Sequence, residues 1–267
     1  MYPCNPWRVH PERETGYIMS LWEKLDEVKS LHWVDVTHPL NNESPYWSGV
    51  PDGSRELCKV VFDYDEPMLK CQIHTYKFPG QFGTHVDFPV HFTPGAAASE
   101  AFDLRHMMYP LCVIDITPQM ETNIEYAITV DDILAWEETH GRIPEGAFVA
   151  LRSDWYKRWP DNNALNNFDE EGGEHCPGWS MEAIKFLYEE RNIAVNGHET
   201  FDTDASSEAV KYDDLACERY VLDTGHLQVE LMANLDKVPE AGGVIVVAWP
   251  HIDGATGLPV RAAVCFE

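Results

Sequence analysis

Apolar and polar residues alternate along "QFGTHVDFPVHF" (81–92). Phe82, Val86, Phe88, Val90 and Phe92 take even positions, and Gln81, His85, Asp87 and His91 take odd ones. Successive side chains of an extended chain point to opposite faces. The pattern therefore predicts a strand with one buried apolar face and one polar face turned to solvent or to a cavity. Gly83 would let backbone or ligand approach closely, and Pro89 disfavours a regular central strand.

The same reading predicts the rest of the chain. "HWVDVTHPL" (32–40) is a first strand ended by Pro39, "CKVVFDY" and "CQIHTYKF" are β-rich runs, and "LCVIDIT" (111–117) is a short buried strand. "TVDDILAWEETHG" is a helix: Thr129 and Asp132 form a capping pattern, Ile133, Leu134 and Trp136 lie on or near one face, and Gly141 stops it. A strand "GAFVALRSDW", a polar loop at 160–178, a second amphipathic helix "SMEAIKFLYEERN", the strand "IAVNG" and the loop "HETFDTDAS" follow. "GGVIVVAWP" and "LPVRAAVCFE" read as two final strands. Residues 1–31 read as an N-terminal arm with a short helix near "GYIMSLWEKLDEVKS", of the kind that packs on a partner subunit. Strands dominate without strict βα alternation and no repeat appears. The expectation is a single α+β domain over 32–267, a mixed β-sheet core with flanking helices.

Composition narrows the partners. The chain has 267 residues, 44% of them hydrophobic, and a formal charge of −26. Such acidity argues against nucleic acid and anionic membranes as partners, since both need clustered Lys and Arg. Seven scattered cysteines without a C-x-x-C pair fit free thiols in a reducing compartment. The start lacks the apolar core of a signal peptide, and no stretch reaches the roughly 18 apolar residues of a membrane span. A cytoplasmic protein is expected.

Gln81, His85 and Asp87 offer an amide oxygen, an imidazole and a carboxylate on one face. That set can bind a divalent metal, and its oxygen content leans towards Mn²⁺ without excluding Zn²⁺. A lone H-x-D is a weak signal, and the competing reading is a polar face that simply meets solvent. No G-x-S-x-G elbow, Walker loop or dinucleotide glycine pattern is present.

"QFGTHVDFPVHF" resembles the signature H-x-G-T-H-x-D-x-P-x-H-F of the cyclase-like metal hydrolases, which include bacterial kynurenine formamidase and isatin hydrolase. "VDVTHPLNNESPYWSG", "ITVDDILAWEETHGRIPEGAFVALRSDW", "NGHETFDTDAS", "VELMANLDKVP" and "GATGLPVRAAV" are similar to further segments of that family, so the resemblance spans roughly 32–265. It implies a swivelling β/β/α fold and a metal set of Gln81, His85, Asp87, Glu218 and Glu230. Gln81 and Glu218 stand where the family has histidines. One or two ions, Mn²⁺ or Zn²⁺, would be held, with Glu230 also a candidate base and His91 the acid/base catalyst. Trp47, Phe88 and Phe92, with Tyr46, suggest a pocket for a flat substrate, to which the resemblance adds His198 beside Glu199. His226, one turn before Glu230 if that stretch is helical, and Arg261, a partner for a product carboxylate, complete the candidates. The resemblance implies hydrolysis of a C–N amide bond in a small cyclic amide such as isatin, by a homodimer or homotetramer. An aryl formamidase, a lactone or ester hydrolase, and a binding protein without turnover are the alternatives.

Overall fold

The computed structural model describes residues 19–47, 49–51, 53–65 and 70–267. Its strands are β1 (His32–Asp35), β2 (Glu56–Phe62), β3 (Ile73–Lys77), β4 (His85–Asp87), β5 (Met108–Asp115), β6 (Ala127–Ile128), β7 (Phe148–Arg152), β8 (Gly178–Trp179), β9 (Val195–His198), β10 (Leu227–Glu230), β11 (Gly243–Ala248), β12 (Gly257–Pro259) and β13 (Arg261–Phe266). The α-helices are α1 (Leu21–Ser30), α2 (Thr117–Met120), α3 (Val130–His140), α4 (Asn162–Asn166), α5 (Met181–Lys185), α6 (Ser206–Tyr212) and α7 (Ala216–Asp223). Residues 1–18 of the expected arm lie outside the described residues, while its helix is α1.

Nine strands form one mixed sheet in the order β1-β13-β11-β5-β7-β9-β10-β4-β12. The run β5-β7-β9-β10 is parallel, and the flanking pairs are antiparallel. Only Val260 separates β12, at one edge, from β13, next to the other. A single residue cannot span a flat sheet of nine strands some 4.8 Å apart, so the sheet curls until its ends meet. The fold is thus a single α+β domain, as expected.

Two cores follow from the alternation of side chains. Leu111 and Val113 of β5 join Phe148 and Ala150 of β7 in a core shared with Val86, Phe88, Val229 and Val264. The intervening Cys112, Ile114, Val149 and Leu151 face Ile133 and Trp136 of α3, Ala183 and Ile184 of α5, and Cys217 and Val221 of α7. Strands buried on both faces read as unbroken apolar runs, which is why "LCVID" and "FVAL" show no alternation.

Three expectations need correction. The motif strand ends at Asp87; Pro89 has no N–H to donate, and Pro89–His91 form a 3₁₀ turn closed by His91 N–H on the Phe88 carbonyl at 2.8 Å. Residues 160–178 are not one loop. Asp161 caps α4, and Leu165 packs with Trp155 and Cys176 in a small core of its own. Leu134 of α3 points to solvent, leaving Ile133 and Trp136 as its buried residues.

Candidate metal centre

β4 lies between β10 and β12, with His85 opposite both Glu230 and Pro259. Val86 and Phe88 enter the core, so His85 and Asp87 must face the other way, as Gln228 and Glu230 do on β10. One ligand atom from each of His85, Asp87 and Glu230 falls within 4.8 Å of the others, and all three residues are buried.

The proton on His85 can be placed by elimination. Its Nδ1 lies 2.8 Å from the carbonyl oxygen of Gly83, which can only accept, so Nδ1 carries the hydrogen. Gly83 is suited to this corner: its φ is +62°, and a Cβ there would lie 2.2 Å from Leu40 Cδ2. In the neutral ring, Nε2 is then a lone pair that faces Glu230 Oε2 at 3.2 Å and Asp87 Oδ2 at 3.4 Å. Three buried acceptors turned on one another are unstable unless a proton or a cation sits among them. Burial pulls the His85 pKa down, but the charges of Asp87 and Glu230 outweigh it and hold it well above the ordinary value. Burial likewise pushes Asp87 up, and His85 outweighs it, leaving Asp87 below the usual range. An imidazole nitrogen with two carboxylate oxygens is a donor set that fits a divalent cation.

Amides and further acids surround this trio. Gln228 Nε2 donates to Glu230 Oε1 at 2.9 Å and to Asp87 Oδ2 at 3.3 Å, while its oxygen accepts from Thr203 at 2.7 Å. Gln81, half-buried, donates through Nε2 to Asp87 Oδ1 at 3.1 Å and to Thr256 Oγ1 at 3.4 Å. Here Gln81 turns its nitrogen to Asp87, so it steadies the carboxylate rather than offering its oxygen. Glu218 is buried near the N-terminus of α7, where Asp204 accepts from the Cys217 and Glu218 N–H groups at 2.8 and 3.1 Å. Burial, then the charges of Glu230, Asp87, Asp202 and Asp204, raise the Glu218 pKa well above the ordinary value. Its carboxylate belongs to the same acidic nest but not to the 4.8 Å set.

His198 Nε2 stands 3.5 Å from Glu230 Oε1, and neither of its buried ring nitrogens has a hydrogen-bond partner. The neighbouring Glu199 accepts through one oxygen from Ser153 N–H, Ser153 Oγ and Trp155 N–H, and burial pushes its pKa up to about 8. His91 is exposed in its 3₁₀ turn, close enough to Asp87 for its charge to favour the carboxylate. Phe92 is half-buried beneath the Arg219 guanidinium of α7 at 4.8 Å.

The other pocket candidates lie elsewhere. Phe88 is fully buried in the sheet core against Trp249 and Phe102. Trp47 is exposed, and the Arg261 side chain, 76% exposed, pairs with Asp35 at 2.5 Å. His226 precedes a strand rather than sitting on a helix. It is four residues from Glu230, roughly 13 Å along extended chain, and packs on Tyr188 at 4.4 Å. Gln228, Thr203, Asp202 and Asp204 were not singled out from sequence. A usable signal existed for Gln228, which shares the strand face of Glu230 at a spacing of two.

Comparison with known proteins agrees with this frame. Residues 34–205 match the Cyclase family, described as "Putative cyclase". Isatin hydrolase of Roseibium aggregatum is 30% identical over 237 residues, covering 86% of this chain and 89% of that protein. The solved structure of isatin hydrolase A from Labrenzia aggregata bound to benzyl benzoate superposes with a TM-score of 0.82 at 30% identity, over 92% of this chain and 99% of that one. Kynurenine formamidase of Bacillus cereus is 26% identical over 129 residues, 44% of this chain and 57% of its own length. With a family match over more than half its length and a relative of this extent, the chain belongs to the Cyclase family.

Proposed function

We propose that this protein is a metal-dependent hydrolase that cleaves the C–N amide bond of a small cyclic or aromatic amide, with isatin as the first substrate to try. The observation that carries the metal reading is the His85 lone pair held against two carboxylates, an arrangement that asks for a cation. The similarity to an isatin hydrolase over most of both chains supports the substrate class. His85, Asp87 and Glu230 would hold the ion. When bound, it supplies Lewis acidity, polarising the amide carbonyl and easing deprotonation of water.

The chain's own groups would do the rest. An amide nitrogen leaves poorly until it is protonated, and exposed His91 beside Asp87 can take a proton from water and return it to that nitrogen. Gln228 and Gln81 neutralise oxygens of Asp87 and Glu230 with N–H groups, which fixes the orientation of both carboxylates. Burial and the neighbouring carboxylates favour the protonated form of Glu218, which limits the negative charge it adds to the nest.

The test is elemental analysis of the purified protein, followed by ring opening of isatin and hydrolysis of formylkynurenine and simple lactones. Isatin opening is expected to stop with chelator, return with Mn²⁺ or Zn²⁺, and fail in His85→Ala and Asp87→Ala. Full turnover by metal-free protein would sink the reading, and a clear preference for formylkynurenine would move it to the open-chain amide.

A further inference from the structure

The antiparallel ladder between β10 and β4 pairs Gln228 with Asp87 and Glu230 with His85. Its next pair would join Leu231 to Thr84, and there the ladder stops. Leu231 has a φ of +50°, in the left-handed region that a leucine seldom adopts. The turned residue is buried, and its N–H goes to the Thr200 carbonyl at 3.2 Å. In a continued ladder Leu231 and Thr84 would share no backbone hydrogen bond, because Thr84 turns its carbonyl to Val260 on the β12 side. Thr84 reaches the Leu231 turn with its side chain instead: Oγ1–H donates to the Leu231 oxygen at 2.5 Å. The same hydroxyl oxygen accepts the His38 N–H at 3.0 Å, and the Thr84 carbonyl accepts Val260 N–H at 2.9 Å. One buried hydroxyl thus ties the segment after β1 to the turn behind Glu230, immediately beside His85.

We propose that Thr84 is a positioning residue for the metal ligands: its hydroxyl supplies a tie to β4 that the backbone does not make at this point, holds the Leu231 turn, and so keeps the Glu230 carboxylate on His85. This rests on the metal reading of His85, Asp87 and Glu230. A valine at position 84 would keep the shape but leave two buried backbone groups without a partner. The turn would then be free to relax, carrying Glu230 away from the ion. A serine would retain the bond.

The experiment is calorimetric titration of metal-stripped wild type, Thr84→Val and Thr84→Ser with Mn²⁺ and Zn²⁺, alongside the melting temperature of each metal-free protein. Thr84→Val is expected to bind about tenfold or more weakly, and Thr84→Ser within about threefold of wild type. A lower melting temperature with unchanged affinity in Thr84→Val would show a merely structural hydroxyl and overturn the proposal. Absence of binding by wild type would overturn the metal reading itself, and this inference with it. Should Thr84→Val not fold, amide exchange of the wild type decides. Coupling is reciprocal, so metal must slow the His38 amide more than the core amide of Val149. Equal slowing at both would overturn the proposal.

Discussion

Single residues carry most of the site's geometry. Gly257 of β12 shows how little slack there is: a Cβ there would lie 2.2 Å from Gln81 Nε2 and 2.8 Å from Asp87 Oδ1. Gly257→Ala is therefore expected to drive Gln81 off Asp87 and weaken metal binding about tenfold while the fold survives. Titration with Mn²⁺ checks it, and wild-type affinity would show that Gln81 swings aside without consequence. His85 and Asp87 were legible from local alternation, because strand periodicity is a property of neighbours. Alternation puts Gln228 on the face of Glu230 but not against Asp87, since that bond crosses 141 positions and no local pattern encodes which strands meet. Arg261 and His226 were misplaced for the same reason: their partners, Asp35 and Tyr188, are tertiary neighbours.

At the scale of elements, local chemistry was the better guide. α3 begins and ends as its sequence requires. Thr129 accepts from Asp132 N–H at 3.2 Å, the Asp132 carboxylate accepts from Thr129 N–H at 2.8 Å, and Gly141 follows the last turn. Thr129→Ala should cost about 1 kcal/mol in urea unfolding and leave turnover unchanged, because α3 packs on the helical core and not on the strand face that carries the site. No loss of stability would mean that Tyr126 and Gln119, which also donate to Asp132, suffice to hold it. The motif strand was less legible. Its hydrophobic alternation continues past Pro89, but the backbone turns there, and only that turn brings His91 back beside Asp87. Periodicity cannot distinguish a strand from a strand that stops, since the side chains of both alternate in sequence.

For the whole molecule, the expected α+β class and mixed sheet came from the balance of elements, whereas the curl that closes the sheet came from no local signal. Assembly is the matter that the apolar exterior raises. α1 buries none of its residues, and Leu21 and Trp22 are 79% and 81% exposed, with Leu25 and Val28 exposed along the same helix. Light scattering is expected to give at least twice the 30.4 kDa of one chain, and Leu21→Glu with Trp22→Glu to lower it. A monomer in the wild type would refute this. The single-residue link at Val260 has one more consequence, and it concerns time rather than space. β4 emerges early in synthesis, but its neighbours β10 and β12 come some 140 and 170 positions later. A chain growing from its N-terminus must therefore carry His85 and Asp87 without partners through most of translation. The two acids and the imidazole meet only after β10 emerges, and the ends of the sheet join only when β12 and β13 are made. The catalytic face is thus assembled late, from a strand made early and strands made near the end of synthesis.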